Sequence, residues 1–194
     1  MKKALSLILA LVMLFGCLPA TTLNVRAAET VQLEPVTRSY TNPLYDSKLS
    51  MQPQKYAASV PAYFCETDAE AAEYLRQQMK QRAERVIIEM ILPDFDDTLV
   101  DRAFDRAVAH TGVPTEGDYL LWQFGGWNCS ISGSWDGKHY YLTYDIYISY
   151  YTTAQQEAEM DAAVASLLSQ LNPDTSNPYN AVKTVYDWMC HNST

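Results

Sequence analysis

Between Trp127 and Tyr150 the chain alternates apolar and polar residues on both sides of Asp136-Gly137, and this constrains the fold more than any other feature. Trp127, Cys129, Ile131, Gly133 and Trp135 alternate with Asn128, Ser130, Ser132 and Ser134. Tyr140, Leu142, Tyr144, Ile146, Ile148 and Tyr150 alternate with His139, Tyr141, Thr143, Asp145, Tyr147 and Ser149. Period-two alternation places one row of each strand on a buried face, and Asp-Gly is a two-residue type I′ hairpin signal. A two-residue loop sets Gly133 opposite Tyr140, Ile131 opposite Leu142, Cys129 opposite Tyr144 and Trp127 opposite Ile146. Both apolar rows then share one side, whereas a one-residue slip would separate them. Gly133 is expected to leave room for the Tyr140 ring.

Helices and one further strand surround this hairpin. Thr67-Asp68-Ala69-Glu70 is a capping box, and Ala72, Leu75 and Met79 predict a helix from Asp68 to about Glu84. Val86 to Leu92 is β-branched and ends at Pro93-Asp94, a central strand by its largely apolar faces. A second helix starts near Asp97-Thr98, carries Leu99, Val100, Ala103, Phe104, Ala107 and Val108, and stops at Gly112-Val113-Pro114. Asp101, Arg102, Asp105 and Arg106 form its solvated side. Thr153 to Gln156 is another capping box, followed by a stripe of Met160, Val164, Leu167, Leu168 and Leu171 that should lie on the apolar face of the hairpin. After a short linker, Pro178 opens a last helix with the stripe Val182, Val185, Tyr186 and Met189. The expected class is α+β: helices on a small, mostly antiparallel sheet with a long aromatic hairpin, occupying residues 61–172. The last helix, within residues 176–194, has nothing after it to pack against, so the chain reads as truncated.

Upstream, Glu29 to Val60 is rich in Pro, Ser, Thr, Asn and Gln without helical or strand period, and reads as a linker or a strapped extended segment. Residues 1–28 read as a secretory signal peptide. Lys2 and Lys3 precede an apolar run from Ala4 to Phe15, about 12 residues against the roughly 20 a bilayer span requires, and small residues end at Ala27-Ala28. Lipidation of Cys17 in Leu14-Phe15-Gly16-Cys17 is the lesser alternative, because bulky Phe15 stands where a small residue is usual. The expected location is secreted or cell-surface, with membrane contact only through that peptide or a lipid.

The net charge is −9. Losing Lys2, Lys3 and Arg26 with the leader takes 14 basic residues to 11 against 23 acidic, a net charge of −12. With no concentrated basic patch, that balance repels a phosphate backbone and excludes nucleic acid as a partner. Three cysteines would remain, Cys65, Cys129 and Cys190, spaced by 64 and 61 residues. Buried small hydrophobes are the expected roles, with a Cys65–Cys129 disulfide as the alternative for an exported protein.

No constellation able to run a reaction stands out. Cys190 and His191 are neighbours on a helix, about 100° apart, and cannot share a proton. His110, His139 and His191 lack metal-ligand spacing, and phosphate loops, nucleophile elbows and paired catalytic carboxylates are missing from the sequence. Asp94, Asp96 and Asp97 are explained by turn chemistry and a helix cap before weak calcium binding. No cofactor or metal is expected. The candidate binding face is the polar row of the hairpin, His139, Tyr141, Asp145 and Tyr147, which could take carbohydrate or peptide or be half covered by the N-terminal segment.

The order Tyr150-Tyr151-Thr152-Thr153, a helix, an Asn/Asp/Ser linker and then NPYNAVKTVYDWMCHN resembles secreted transglutaminase-like proteins of Gram-positive, Firmicutes-type bacteria. Lys183, Val185, Tyr186, Asp187, Trp188, Met189 and Cys190 match the pattern of the helix that opens their catalytic core. The resemblance covers most of Tyr140 to Asn192. It implies papain-like acyl transfer or peptide hydrolysis by cysteine, histidine and aspartate. In those proteins all three lie beyond this helix, so no catalytic residue carries over and Cys190 corresponds to a packing cysteine. The expected role is a noncatalytic N-terminal accessory region of such an enzyme, acting on protein, peptide or cell-wall material. The alternative is a stand-alone surface binding module using the aromatic hairpin face.

Overall fold

The computed structural model describes residues 30–44 and 59–192. The expected signal peptide, with Cys17, and much of the Pro- and Ser-rich segment lie outside the described residues. The architecture is α+β. In chain order the strands are β1 (Val31–Gln32), β2 (Val36–Thr41), β3 (Ala62–Phe64), β4 (Arg85–Leu92), β5 (Phe124–Trp135) and β6 (Tyr140–Tyr150). The helices are α1 (Asp68–Lys80), α2 (Leu99–Ala107), α3 (Asp118–Gln123), α4 (Ala154–Leu171) and α5 (Pro178–Asn192).

One mixed sheet runs β1-β5-β6-β4-β3, and β2 also pairs with β5. All pairings are antiparallel except β3 with β4, which α1 connects as a parallel pair requires. β1 and β2 lie in line along the outer edge of β5, joined by Leu33 N donating to Gly133 O at 2.9 Å. Residues 31–41 therefore extend the sheet edge, ahead of the expected start at Pro61. They flank the hairpin and do not cover its polar face.

Both rows of the hairpin fall on one side, as the alternation requires, but the register differs from the two-residue loop by two positions. Trp135 pairs with Tyr140, Gly133 with Leu142, Ile131 with Tyr144, Cys129 with Ile146 and Trp127 with Ile148. The loop is four residues long because the Asp136 carboxylate captures two amides, accepting from Lys138 N and His139 N at 2.8 Å each. Asp136 N donates to His139 O at 3.2 Å, and Gly137 supplies the positive φ of 95°. Gly133 leaves room for backbone, not for a ring: a Cβ there would lie 2.1 Å from the Tyr141 carbonyl oxygen.

α1, α2 and α3 cover one face of the sheet. Leu75 and Met79 of α1, Leu99, Val100 and Phe104 of α2 and Leu120 of α3 join Val86, Ile88, Met90, Phe124, Trp127, Ile131, Leu142, Tyr144, Ile146 and Ile148 in a single core. Thr67 caps α1, its hydroxyl accepting from Glu70 N at 3.2 Å, while the Glu70 carboxylate reaches Glu66 N at 2.7 Å. α1 ends at Lys80, short of Glu84, and Arg82 follows in the left-handed region with φ 56°. β4 is interior, yet only Val86, Ile88 and Met90 are buried; Glu89 and Ile91 of the opposite phase are exposed.

α4 does not lie on the hairpin. It forms both halves of the Thr153–Gln156 capping box, but none of its residues is buried, and its stripe residues Met160, Val164 and Leu168 are exposed. The apolar side of the sheet is already filled by three helices, of which α3 was not anticipated. With six residues, α3 is too short to display a helical period. α4 instead makes limited contact with α5. Cys65 and Cys129 are buried free thiols, whereas Cys190 is exposed, contrary to its expected burial. A Cys65–Cys129 bridge is ruled out, since β3 and β5 are three strand spacings apart, about 14 Å, and a disulfide needs Cα atoms within about 7 Å.

Candidate functional site

Among the described residues the helices lie on one side of the sheet, and none covers the second face. β6 carries Tyr141, Thr143, Asp145 and Tyr147 there by alternation from its buried row. The registers set Ser134, Ser132, Ser130 and Asn128 of β5 on one flank and Ile91, Glu89, Ile87 and Arg85 of β4 on the other.

The four candidate residues fall into two groups. His139 and Tyr141 belong to the turn: His139 donates its backbone amide to Asp136, and the Tyr141 hydroxyl donates to Asp136 Oδ2 at 2.9 Å. The His139 and Lys138 amides and the Tyr141 hydroxyl hold the Asp136 carboxyl below the usual range, and Asp136 in turn raises Tyr141. Asp145 and Tyr147 belong to an ion-pair cluster about 13 Å along the strand from Tyr141. Arg85 donates to both Asp145 oxygens at 2.9 Å, and its guanidinium stands 5.3 Å from the Tyr147 ring centre. A fork-to-fork pair with an aromatic neighbour orders both side chains, so they act as a braced surface.

At the turn-proximal end a groove of about 250 Å³ is lined by Phe64, Glu89, Met90, Ile91, Tyr141, Leu142 and Thr143. Phe64, Ile91 and Tyr141 are 49%, 46% and 41% exposed. The sequence reading missed Phe64, Glu89 and Ile91. Glu89 was the available signal: a carboxylate inside an otherwise apolar strand marks the phase that faces water.

A second surface is formed by α4 and α5. Asn177 caps α5, its Oδ1 accepting from Tyr179 N at 3.1 Å, with Pro178 in the first turn. Tyr179, Val182, Tyr186 and Met189 are 73%, 70%, 60% and 46% exposed along one stripe. The first turn of α4 is tied to the sheet domain. Glu157 accepts from the Tyr119 and Thr152 hydroxyls and lies 3.2 Å from the guanidinium of Arg82. Arg82 is itself buried between the rings of Tyr119 and Tyr150, at 5.6 Å and 5.5 Å.

The remaining reactive groups have structural surroundings. Burial pushes the Cys65 thiol up to about 11 and the Cys129 thiol up to about 12, so both are protonated at neutral pH. The His191 ring bonds the Asp187 carbonyl one turn back on α5. Asp96 accepts from Thr98 N and Oγ at 2.9 Å and pairs with Arg102 at 2.6 Å, while Asp97 lies 3.8 Å from Arg38. Arg102 also pairs with Asp68 at 2.9 Å. This side of α2, expected to be merely solvated, thus joins three elements. Among the described residues no three His, Cys, Asp or Glu side chains converge as metal ligands, and no helix is long and apolar enough to cross a membrane. No protein-family model, curated protein or solved structure matches this chain.

Proposed function

We propose that this chain is a noncatalytic accessory region of an exported transglutaminase-like cysteine enzyme, and that the apolar stripe of α5 is covered by the catalytic unit of that enzyme. The observation behind this reading is the stripe itself: four large residues in helical register, 46–73% exposed, on a helix that buries no residue. Aligned apolar side chains at this exposure mark a contact surface. The resemblance of Lys183 to Cys190 to the opening helix of such cores supplies the identity of the covering unit. The test is to read the coding frame past Thr194 and to weigh the exported protein. A frame continuing into Cys, His and Asp in that order supports the proposal. A stop codon with a matching mass overturns it, as would acyl transfer by this chain alone that alkylation abolishes.

A second reading is favoured by a different observation, the groove beside Tyr141 on the sheet face that no helix among the described residues covers. On this reading the chain is a surface module that holds a glycan or peptide between Phe64, Ile91 and Tyr141. Binding of purified cell-wall material that Tyr141→Ala weakens without lowering stability would support it. Unchanged binding by that variant would reject it.

A further inference from the structure

A recess on the opposite side of the molecule, facing the helices, has a chemistry that neither reading uses. It lies where β2 passes α2, has a volume of about 240 Å³, and is lined by Tyr40, Asp101, Phe104, Asp105, Val108, Leu121, Phe124 and Trp127. Its inner wall is aromatic: Phe104, Phe124 and Trp127 are 3%, 1% and 2% exposed. Phe104 stacks on Trp127 at 5.1 Å, and Tyr40 stands at 6.2 Å from Phe124 and 6.1 Å from Trp127, nearly parallel to both.

The sequence builds this wall from three places. Tyr40 pairs with Trp127 across the β2–β5 edge, so the two share a face. Phe104 comes from the buried stripe of α2. Asn42, itself buried, fixes the exit of β2 by donating to Leu121 O at 2.6 Å and to Phe124 O at 2.9 Å, while Leu44 N donates back to its Oδ1 at 3.0 Å.

Two carboxylates border the rings. Asp101 is held by Arg38 at 2.8 Å. Asp105 is exposed and has no hydrogen-bond or ion-pair partner among the described residues. Ring faces are negative at their centres and attract cations, and the free carboxylate adds a full charge of the same sense. The overall charge of −9 raises the local concentration of cations further. An anion meets two carboxylates here, and a neutral ligand makes no use of Asp105. The volume lies below the roughly 300–1,000 Å³ of pockets for drug-sized ligands, which restricts the occupant to a small molecule.

We propose that this recess is a binding site for a small organic ammonium ion, with the alkylated nitrogen against the exposed ring of Tyr40, backed by Phe104 and Trp127, and its charge balanced by Asp105. The probes are choline and its uncharged isostere 3,3-dimethylbutan-1-ol, titrated into the full chain at constant ionic strength and followed by ligand-observed NMR. Choline is expected to bind saturably in the millimolar range and the isostere about tenfold more weakly, the contrast a partly desolvated cation–π contact supports. Asp105→Asn, at an exposed position that leaves the fold intact, should weaken choline about fivefold and leave the isostere unchanged. Glu159→Gln, at an exposed position on α4 away from this recess and from the groove beside Tyr141, should alter neither. Equal binding of the two probes, absence of saturable choline binding, or indifference to Asp105→Asn would each overturn the proposal.

Discussion

α1 and α4 are both capped by threonine and both carry an apolar stripe, yet they end in opposite environments. α1 buries Ala71, Ala72, Leu75 and Met79 against the sheet, whereas α4, five residues longer, buries none. The stripe of a helix states that one side avoids water; it does not state what covers that side. α1 is placed by the β3–β4 pair it connects. α4 leaves β6 after the helix-facing side is filled, and the described residues offer it only α5. One end of the molecule is thus a two-layer domain, and the other is a helical pair anchored through Glu157 and Arg82.

The contrast is broken most directly in the core. Leu75→Ala or Ile146→Ala should cost about 2–5 kcal/mol in denaturant unfolding, and Val164→Ala or Leu168→Ala in α4 about 0.5 kcal/mol or less. Equal losses would mean that α4 belongs to the same cooperative unit. Next in size is the anchor. Arg82→Ala removes a buried cation from between two tyrosines and strands Glu157, with an expected loss of about 3 kcal/mol and a fall in amide protection concentrated in the first turn of α4. Uniform loss of protection would show that the junction supports the whole domain.

A smaller effect separates the regions by pH. Hydrogen bonding from Arg102, then from Thr98, holds the Asp96 carboxyl below its ordinary value. The linked stability is present above the unfolded carboxylate value of about 3.9 and is lost as pH falls through the lower folded value. Asp96→Asn should therefore flatten the acid end of the stability curve below about pH 4, and an unchanged curve would refute the linkage. Smallest in stability is the α5 stripe. Val182→Ser with Tyr186→Ser should leave the unfolding midpoint within experimental error while lowering binding of a hydrophobic dye, because these side chains bury little. A large drop in the midpoint would show that the stripe is covered within this chain.

The hairpin shows where sequence reading stops. Alternation places Ile131, Cys129, Tyr144 and Ile146 on one side, but a shift of two residues preserves every face, so the pattern alone cannot choose between registers. The choice was made by the Asp136 carboxylate, which binds two amides and widens the loop to four residues. In the candidate site, Tyr141 and Asp145 were legible as outward residues of a strand. Their partners were not: Arg85 lies 60 residues from Asp145, and the groove beside Tyr141 depends on Phe64 from a strand paired two positions away in the sheet.

The sequence by itself determined the period of each long element, the threonine caps of α1 and α4 and the row of β5 and β6 that turns from water, because propensity, capping and alternation act over a few residues. Strand order, the loop register, the edge role of β1 and β2, the exposure of α4 and α5, and the meeting of Tyr40 with Phe104 and Trp127 were decided only in three dimensions. Each depends on which surfaces compete for one finite sheet face, and that competition is settled between residues far apart in the chain.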